Sequence, residues 1–160
     1  ANCLDESIID EQYSFLLKHY EKNINVETVL YDGVCDALNE LQKRGYLLGV
    51  CTNKPEFLAE KLLKSLGIRE YFLAMLGADT LSVRKPNPIH LWTTIDRMGG
   101  DRKKAILIGD TITDSDTAKN ANLPYILVSF GPKESEVMNM KASALLNTYF
   151  DLPDLIDTIL

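Results

Sequence analysis

The chain has 160 residues, 46% of them hydrophobic and 25% charged, which is enough for one compact domain with a core of its own. A formal net charge of -6 argues against a nucleic-acid partner. No apolar run approaches the roughly 18 residues of a membrane span, and Cys3, Asp5 and Glu6 stand where a signal peptide would begin, so a cytoplasmic protein with no membrane partner is expected.

In chain order, residues 4 to 22 read as a helix, with Leu4, Ile8, Phe15, Leu16 and His19 near helical spacing. Asp32-Gly33 opens a second helix through Arg44, which Gly45 stops. Tyr46 to Cys51 reads as a strand, and Pro55 starts a helix that runs to Leu66. Phe72 to Gly77 is a weaker strand, and Asn87 to Met98 a helix broken by Gly99-Gly100. Ala105 to Ile108 is a strand, Thr113 to Ala121 a helix and Tyr125 to Ser129 another strand. Ala142 to Leu146 reads as a short strand and Leu152 to Ile159 as the last helix. Strands and helices alternating at these lengths point to βαβ units: an α/β, doubly wound, Rossmann-like parallel sheet with helices on both faces. Ligands in such sheets sit beyond the carboxyl ends of the strands.

Residues at those ends carry the chemistry. Ala105-Ile106-Leu107-Ile108-Gly109-Asp110 delivers a carboxylate to the top of the sheet, and Asp114 follows where a helix starts. Two converging carboxylates can hold a hard cation such as Mg²⁺; the plainer alternative makes Asp110 and Asp114 only turn and N-cap residues. In Val50-Cys51-Thr52-Asn53-Lys54, a hydroxyl and nearby N–H groups at a strand end can bind phosphate oxygens, or Thr52 can simply cap the next helix. In Arg84-Lys85-Pro86-Asn87-Pro88, a stiff backbone positions a lysine that can offset charge on a phosphate and a carboxylate; a solvated surface lysine is the alternative. Cys3, Cys35 and Cys51 form no metal-ligand spacing and read as reduced packing residues. His19 and His90 read as structural and Trp92 as core or cap-facing.

Taken in this order, the three motifs resemble motifs two, three and four of the haloacid dehalogenase-like hydrolases, most closely the phosphoglycolate phosphatase branch. Tyr31-Asp32-Gly33-Val34, Leu66-Gly67-Ile68-x-x-Tyr71-Phe72, Gly77-Ala78-Asp79 and Val128-Ser129-Phe130-Gly131 extend the likeness over residues 29 to 160. The resemblance implies that Thr52 hydrogen-bonds the transferring phosphoryl group with Asn53 beside it. It makes Lys85 the stabiliser of charge on nucleophile and phosphoryl, and Asp110 a Mg²⁺ ligand. Asp114 would support the site through a water on the metal or by holding Lys85. Residues 1 to 28 would be the C-terminal part of a helical cap, and 29 to 160 the hydrolase core.

The family's first motif, Asp-x-Asp-Gly-Thr on the first and central strand, is not found. In Val29-Leu30-Tyr31-Asp32-Gly33, Leu30 stands where the other aspartate is required. Its absence would leave unpaired N–H and C=O groups on two buried strands, those bearing motifs two and four. The expected function is Mg²⁺-dependent hydrolysis of a small phosphomonoester, best 2-phosphoglycolate, through an aspartyl-phosphate in an intact, longer protein. The 160-residue chain alone is then inactive. The alternatives are a short relative that closes the gap or exchanges a strand with a second copy, and a non-catalytic binding or regulatory module that keeps the fold. A receiver-like α/β domain fits less well, because the lysine-proline motif has no place in it.

Overall fold

The computed structural model describes residues 28–131, 134–137 and 140–160. The expected first helix and the cap segment lie outside the described residues. Among those described, the elements alternate as α1 (Val34–Lys43), β1 (Gly49–Cys51), α2 (Glu56–Ser65), β2 (Ala74–Leu76), α3 (Pro88–Arg97), β3 (Leu107–Gly109), α4 (Ile112–Ala121), β4 (Tyr125–Val128), α5 (Glu134–Val137), β5 (Ala144–Leu146) and α6 (Leu152–Asp157). Short 3-10 turns at Arg69–Tyr71, Arg102–Lys104 and Tyr149–Asp151 were not expected from the sequence, nor was the one-turn α5. The strands are shorter than the apolar runs that encode them, because ladder pairing ends where the neighbouring strand ends.

All pairings are parallel. β1 pairs with β2 in the register Gly49 to Ala74, β3 with β4 as Leu107 to Tyr125, and β4 with β5 as Ile126 to Ala144. The strands form two separate sheets, β1-β2 and β3-β4-β5, with no ladder between β1 and β3 among the described residues. Burial follows the same division: β2 and β4 are buried throughout, whereas every residue of β1, and Ile108 and Gly109 of β3, are only half-buried. Among the described residues, a slot with no ladder across it therefore separates the two strands whose ends carry Thr52 and Asp110.

Helices on both faces complete three layers. On β4 the period-two alternation of a strand sends Tyr125 and Leu127 one way and Ile126 and Val128 the other. The first pair joins Leu91 and Ile95 of α3, Leu107, and Ala118 and Ala121 of α4. The second joins Ala37 and Leu41 of α1, Leu146, and Leu152 and Ile156 of α6. α3 lies on β1 and β2, α4 lies on β3, and the two helices pack on each other. One helix pair thus ties the half-sheets together on one face.

α1 ends in an Arg44 cluster. The guanidinium reaches Glu40 at 2.9 Å, Asp154 at 2.8 Å and Asp157 at 2.6 Å, and Asp157 also accepts from the Tyr46 hydroxyl at 2.6 Å. The Tyr46 hydrogen bond, then Arg44, hold the Asp157 carboxyl below its ordinary range. These are exposed pairs and add little to stability.

Candidate active site

Three chain segments meet at the carboxyl ends of β1 and β3. A cleft of about 300 Å³ is lined there by Thr52, Asn53, Lys54, Lys85, Asp110, Thr111, Thr113 and Asp114. The residues singled out from the sequence (Thr52, Asn53, Lys85, Asp110 and Asp114) all stand in this one cleft.

Thr52 ends β1. Its backbone N–H donates to the Leu76 carbonyl at 3.0 Å, continuing the β1-β2 ladder by one rung. Its hydroxyl oxygen accepts from the Lys54 N–H at 3.1 Å, in a local turn rather than as a helix cap. Pro55 occupies the N-cap of α2 instead, with no side-chain cap. Because the Thr52 oxygen is the acceptor, the hydroxyl proton remains available to a ligand.

Lys85 precedes α3. Asn87 caps that helix by accepting from the Ile89 N–H at 3.0 Å, and Pro88 fits the first helical turn. The Lys85 ammonium donates to Asp114 Oδ1 at 2.6 Å, and the two side chains are only 11% and 8% exposed. Far from being a solvated surface lysine, Lys85 is half of a buried ion pair. The Asn53 side chain faces the main chain of Lys85, donating from Nδ2 to its carbonyl and accepting at Oδ1 from its N–H, both at 3.0 Å.

Asp114 stands at the third position of α4. Thr111 is the N-cap, and its hydroxyl accepts from the Asp114 N–H while the Asp114 carboxylate accepts back from the Thr111 N–H, a reciprocal capping box. Asp114 Oδ2 accepts from the N–H of Asp110 at 3.2 Å, the N–H of Thr111 at 3.1 Å and the Thr111 hydroxyl at 2.7 Å. With Lys85 on Oδ1, both oxygens of Asp114 are engaged. Gly109 makes this possible, since a Cβ there would come within 2.4 Å of the Asp114 side chain.

Asp110 differs. Its carboxylate has no hydrogen-bond or ion-pair partner among the described residues, and it faces two clefts. The second, about 290 Å³, is lined by Tyr31, Ile108, Gly109, Asp110, Val128, Gly131 and Tyr149. Tyr31, Phe130 and Tyr149 form an aromatic cluster there, with ring centroids 5.2 to 6.2 Å apart. Burial, reinforced by the Asp110 charge, pushes the Tyr149 hydroxyl upward, so it stays protonated. A half-buried, unpartnered carboxylate is the hard oxygen donor that Mg²⁺ takes, and Mg²⁺ binds through one or two carboxylates plus substrate and water. Asp110 fits such an ion as a direct ligand. Asp114, already spent on Lys85 and on main-chain N–H groups, has the geometry of a support. Among the described residues no three His, Cys, Asp or Glu side chains cluster as a complete metal site.

His90 is fully buried, with Nε2 2.9 Å from the Gly77 carbonyl and Nδ1 3.1 Å from Cys51 Sγ. The carbonyl can only accept, so Nε2 carries the proton and the thiol donates to Nδ1. Burial raises the Cys51 thiol, which keeps it neutral and inert. Both residues are structural, and Cys35 and Cys51 are free thiols. Trp92 is half-buried against the α3–α4 core, with the Arg102 guanidinium 5.4 Å from its ring centroid. His19 and Cys3 lie outside the described residues. Thr111, Thr113, Tyr149 and Asn120 were not singled out from the sequence. Only Thr111 had a local signal, the Thr-x-x-Asp of the capping box.

A family model for "Haloacid dehalogenase-like hydrolase" matches residues 2–128. A curated phosphoglycolate phosphatase of Mesorhizobium japonicum is 40% identical over 148 residues, 92% of this chain and 65% of that protein. One of Agrobacterium fabrum is 36% identical over 146 residues, 91% of this chain and 63% of that protein. The chain thus spans a little under two-thirds of the length of these relatives. A crystal structure described as a predicted phosphoglycolate phosphatase from Haemophilus somnus superposes with a TM-score of 0.79 at 26% identity, over 91% of this chain and 64% of that one. With a cleft of this composition at the strand ends and a family match over most of its length, the chain belongs to the haloacid dehalogenase-like hydrolases.

Proposed function

We propose that this chain forms the core of a Mg²⁺-dependent phosphatase that hydrolyses a small phosphomonoester, with 2-phosphoglycolate the favoured substrate. The observation that carries the reading is the convergence of Thr52, Lys85 and Asp110 on one cleft, with Lys85 locked to Asp114. The names of the relatives support the substrate.

The roles follow from donors and charges. The Thr52 hydroxyl donates to a phosphoryl oxygen, its own oxygen being held by the Lys54 N–H. The Lys85 ammonium spends one of its three N–H groups on Asp114 and turns the others to the phosphoryl oxygens and the attacking carboxylate. Because the pair is buried, these interactions act in a poorly screened medium. Asp110 would hold Mg²⁺, which supplies charge neutralisation on the phosphate oxygens when bound. The nucleophilic carboxylate comes from a further strand seated in the slot between β1 and β3, where neither facing edge has a strand partner among the described residues.

The test is Mg²⁺-dependent hydrolysis of p-nitrophenyl phosphate and phosphoglycolate. The purified chain should show no turnover. Turnover should appear when a segment bearing Asp-x-Asp-Gly-Thr is joined to its N-terminus or co-expressed with it. Clear turnover by the chain alone, abolished by Asp110→Asn, would place a nucleophile within these 160 residues and refute the slot reading. Persistent inactivity with the added segment, despite phosphate binding, would favour a non-catalytic module.

A further inference from the structure

We propose that Asn53 is a positioning residue, which sets where the Lys85 ammonium stands by clasping the Lys85 main chain from both sides. The inference rests on the reading that Lys85 meets the phosphoryl group. It goes beyond that reading by giving Asn53 no direct contact with substrate.

A lysine side chain is a poor pointer. Four rotatable carbons separate the charge from the backbone, and the chain loses considerable rotamer entropy when fixed. Two anchors are therefore needed, one at the ammonium and one at the Cα. Asp114 is the first, at 2.6 Å. The second is built from carboxamides. Asn53 forms a closed two-bond ring with the Lys85 N–H and C=O, each bond 3.0 Å. Asn120 of α4 donates to the next carbonyl, that of Pro86, also at 3.0 Å. The Asn87 N–H donates to the Arg84 carbonyl at 2.9 Å and closes the turn from within.

Side-chain chemistry makes the position selective. The two-bond ring needs a donor and an acceptor on one planar group at a reach of two carbons. Asn has both, Asp lacks the donor, Gln is one methylene too long, and Ser or Ala cannot span the distance. The ring also links two otherwise separate segments. Asn53 follows Thr52 directly on the β1 side of the slot, while Lys85 is held to Asp114 on the β3 side. Asn53 thereby fixes the spacing between the Thr52 hydroxyl and the Lys85 ammonium, although β1 and β3 share no ladder.

A double-mutant cycle tests this, with inorganic phosphate as the probe, Mg²⁺ present, and affinity read by ³¹P NMR on the full chain. Lys85→Met should weaken phosphate binding, and Asn53→Ala should weaken it about tenfold, the scale of one charge-assisted hydrogen bond. Because Asn53 acts through Lys85, adding Asn53→Ala to Lys85→Met should cost nothing further. Additive losses would show that Asn53 touches phosphate itself and would overturn the inference while leaving the reading of Lys85 intact. Unchanged affinity in Asn53→Ala, with a loss in Lys85→Met, would overturn it as well. Phosphate binding that is absent in the wild type or indifferent to Lys85→Met would remove the reading and the inference together. Should Asn53→Ala fail to fold, Asn53→Ser serves in the same cycle.

Discussion

The two walls of the cleft are built on opposite principles. On the wall made by Asn53, Lys85, Thr111 and Asp114, each named side chain has a partner within the protein, and the central ion pair is nearly dry. On the wall made by Asp110 and the Tyr31–Phe130–Tyr149 cluster, the one carboxylate has no partner among the described residues and opens onto two clefts. The first wall is complete in itself. The second leaves its carboxylate open, at the place where the proposed cation would bind. Two aspartates four positions apart on one strand-helix turn thus have different surroundings: both Asp114 oxygens are engaged within the frame, and the Asp110 carboxylate lines the two clefts.

That contrast can be broken most forcefully at Asp114. Asp114→Ala leaves the Lys85 ammonium buried without a counter-ion and should cost about 3–5 kcal/mol in urea unfolding. Asp110→Ala should stay within about 0.5 kcal/mol of wild type, because no partner is lost. Equal costs would erase the distinction between the walls. Next, in a protein that carries the nucleophile, Asp110→Asn should cut Mg²⁺-dependent kcat about a hundred- to a thousandfold without moving Tm. Wild-type turnover in that variant would end its role as a metal ligand. A smaller effect is expected at Gly109. Gly109→Ala drives a methyl group into the Asp114 side chain and should destabilise by about 1–3 kcal/mol, measurable by thermal melting. A neutral result would mean that Asp114 can shift freely, against the picture of a rigid wall.

The smallest effect concerns Cys51, behind the finished wall. Its thiol is raised by burial, so the folded state favours the neutral form. The associated stability is fully present below the unfolded pKa of about 8.5 and is lost as pH rises through the higher folded value. Urea titrations between about pH 8 and pH 10 should show the wild type losing stability relative to Cys51→Ala. Iodoacetamide should modify exposed Cys35 well before Cys51. Equal alkylation rates would show that the β1 end is open to solvent on that side.

Much of this architecture was legible in the residues. The alternation of apolar runs with helices marked all five described strands and every described helix but the one-turn α5, because burial on both faces gives parallel strands a continuous hydrophobic signature. Asn87-Pro88 and Thr111-x-x-Asp114 wrote two helix starts almost literally. The ends of strands were less visible. A run such as Tyr46 to Cys51 continues past its ladder, since hydrophobicity reports burial and not which neighbour supplies hydrogen bonds. The site residues were legible as types at strand ends, but their division of labour was not. Nothing in the spacing of Asp110 and Asp114 says which one has its oxygens occupied, and nothing in Thr52-Asn53 says that the asparagine turns away to hold Lys85. Those facts depend on contacts across some thirty positions of sequence. Tyr149 and Asn120 were missed for the same reason: each is defined by a distant partner.

The slot between β1 and β3 also bears on how this chain behaves in bulk. Each strand presents an outward row of amides and carbonyls with no neighbouring strand among the described residues, and such rows accept extended segments without regard to their origin. Association of this chain is therefore expected to depend on what occupies that groove as well as on its net charge of -6. Dilution, or a short β-strand peptide supplied in excess, should keep preparations clear where concentration alone would drive sheet-to-sheet aggregation.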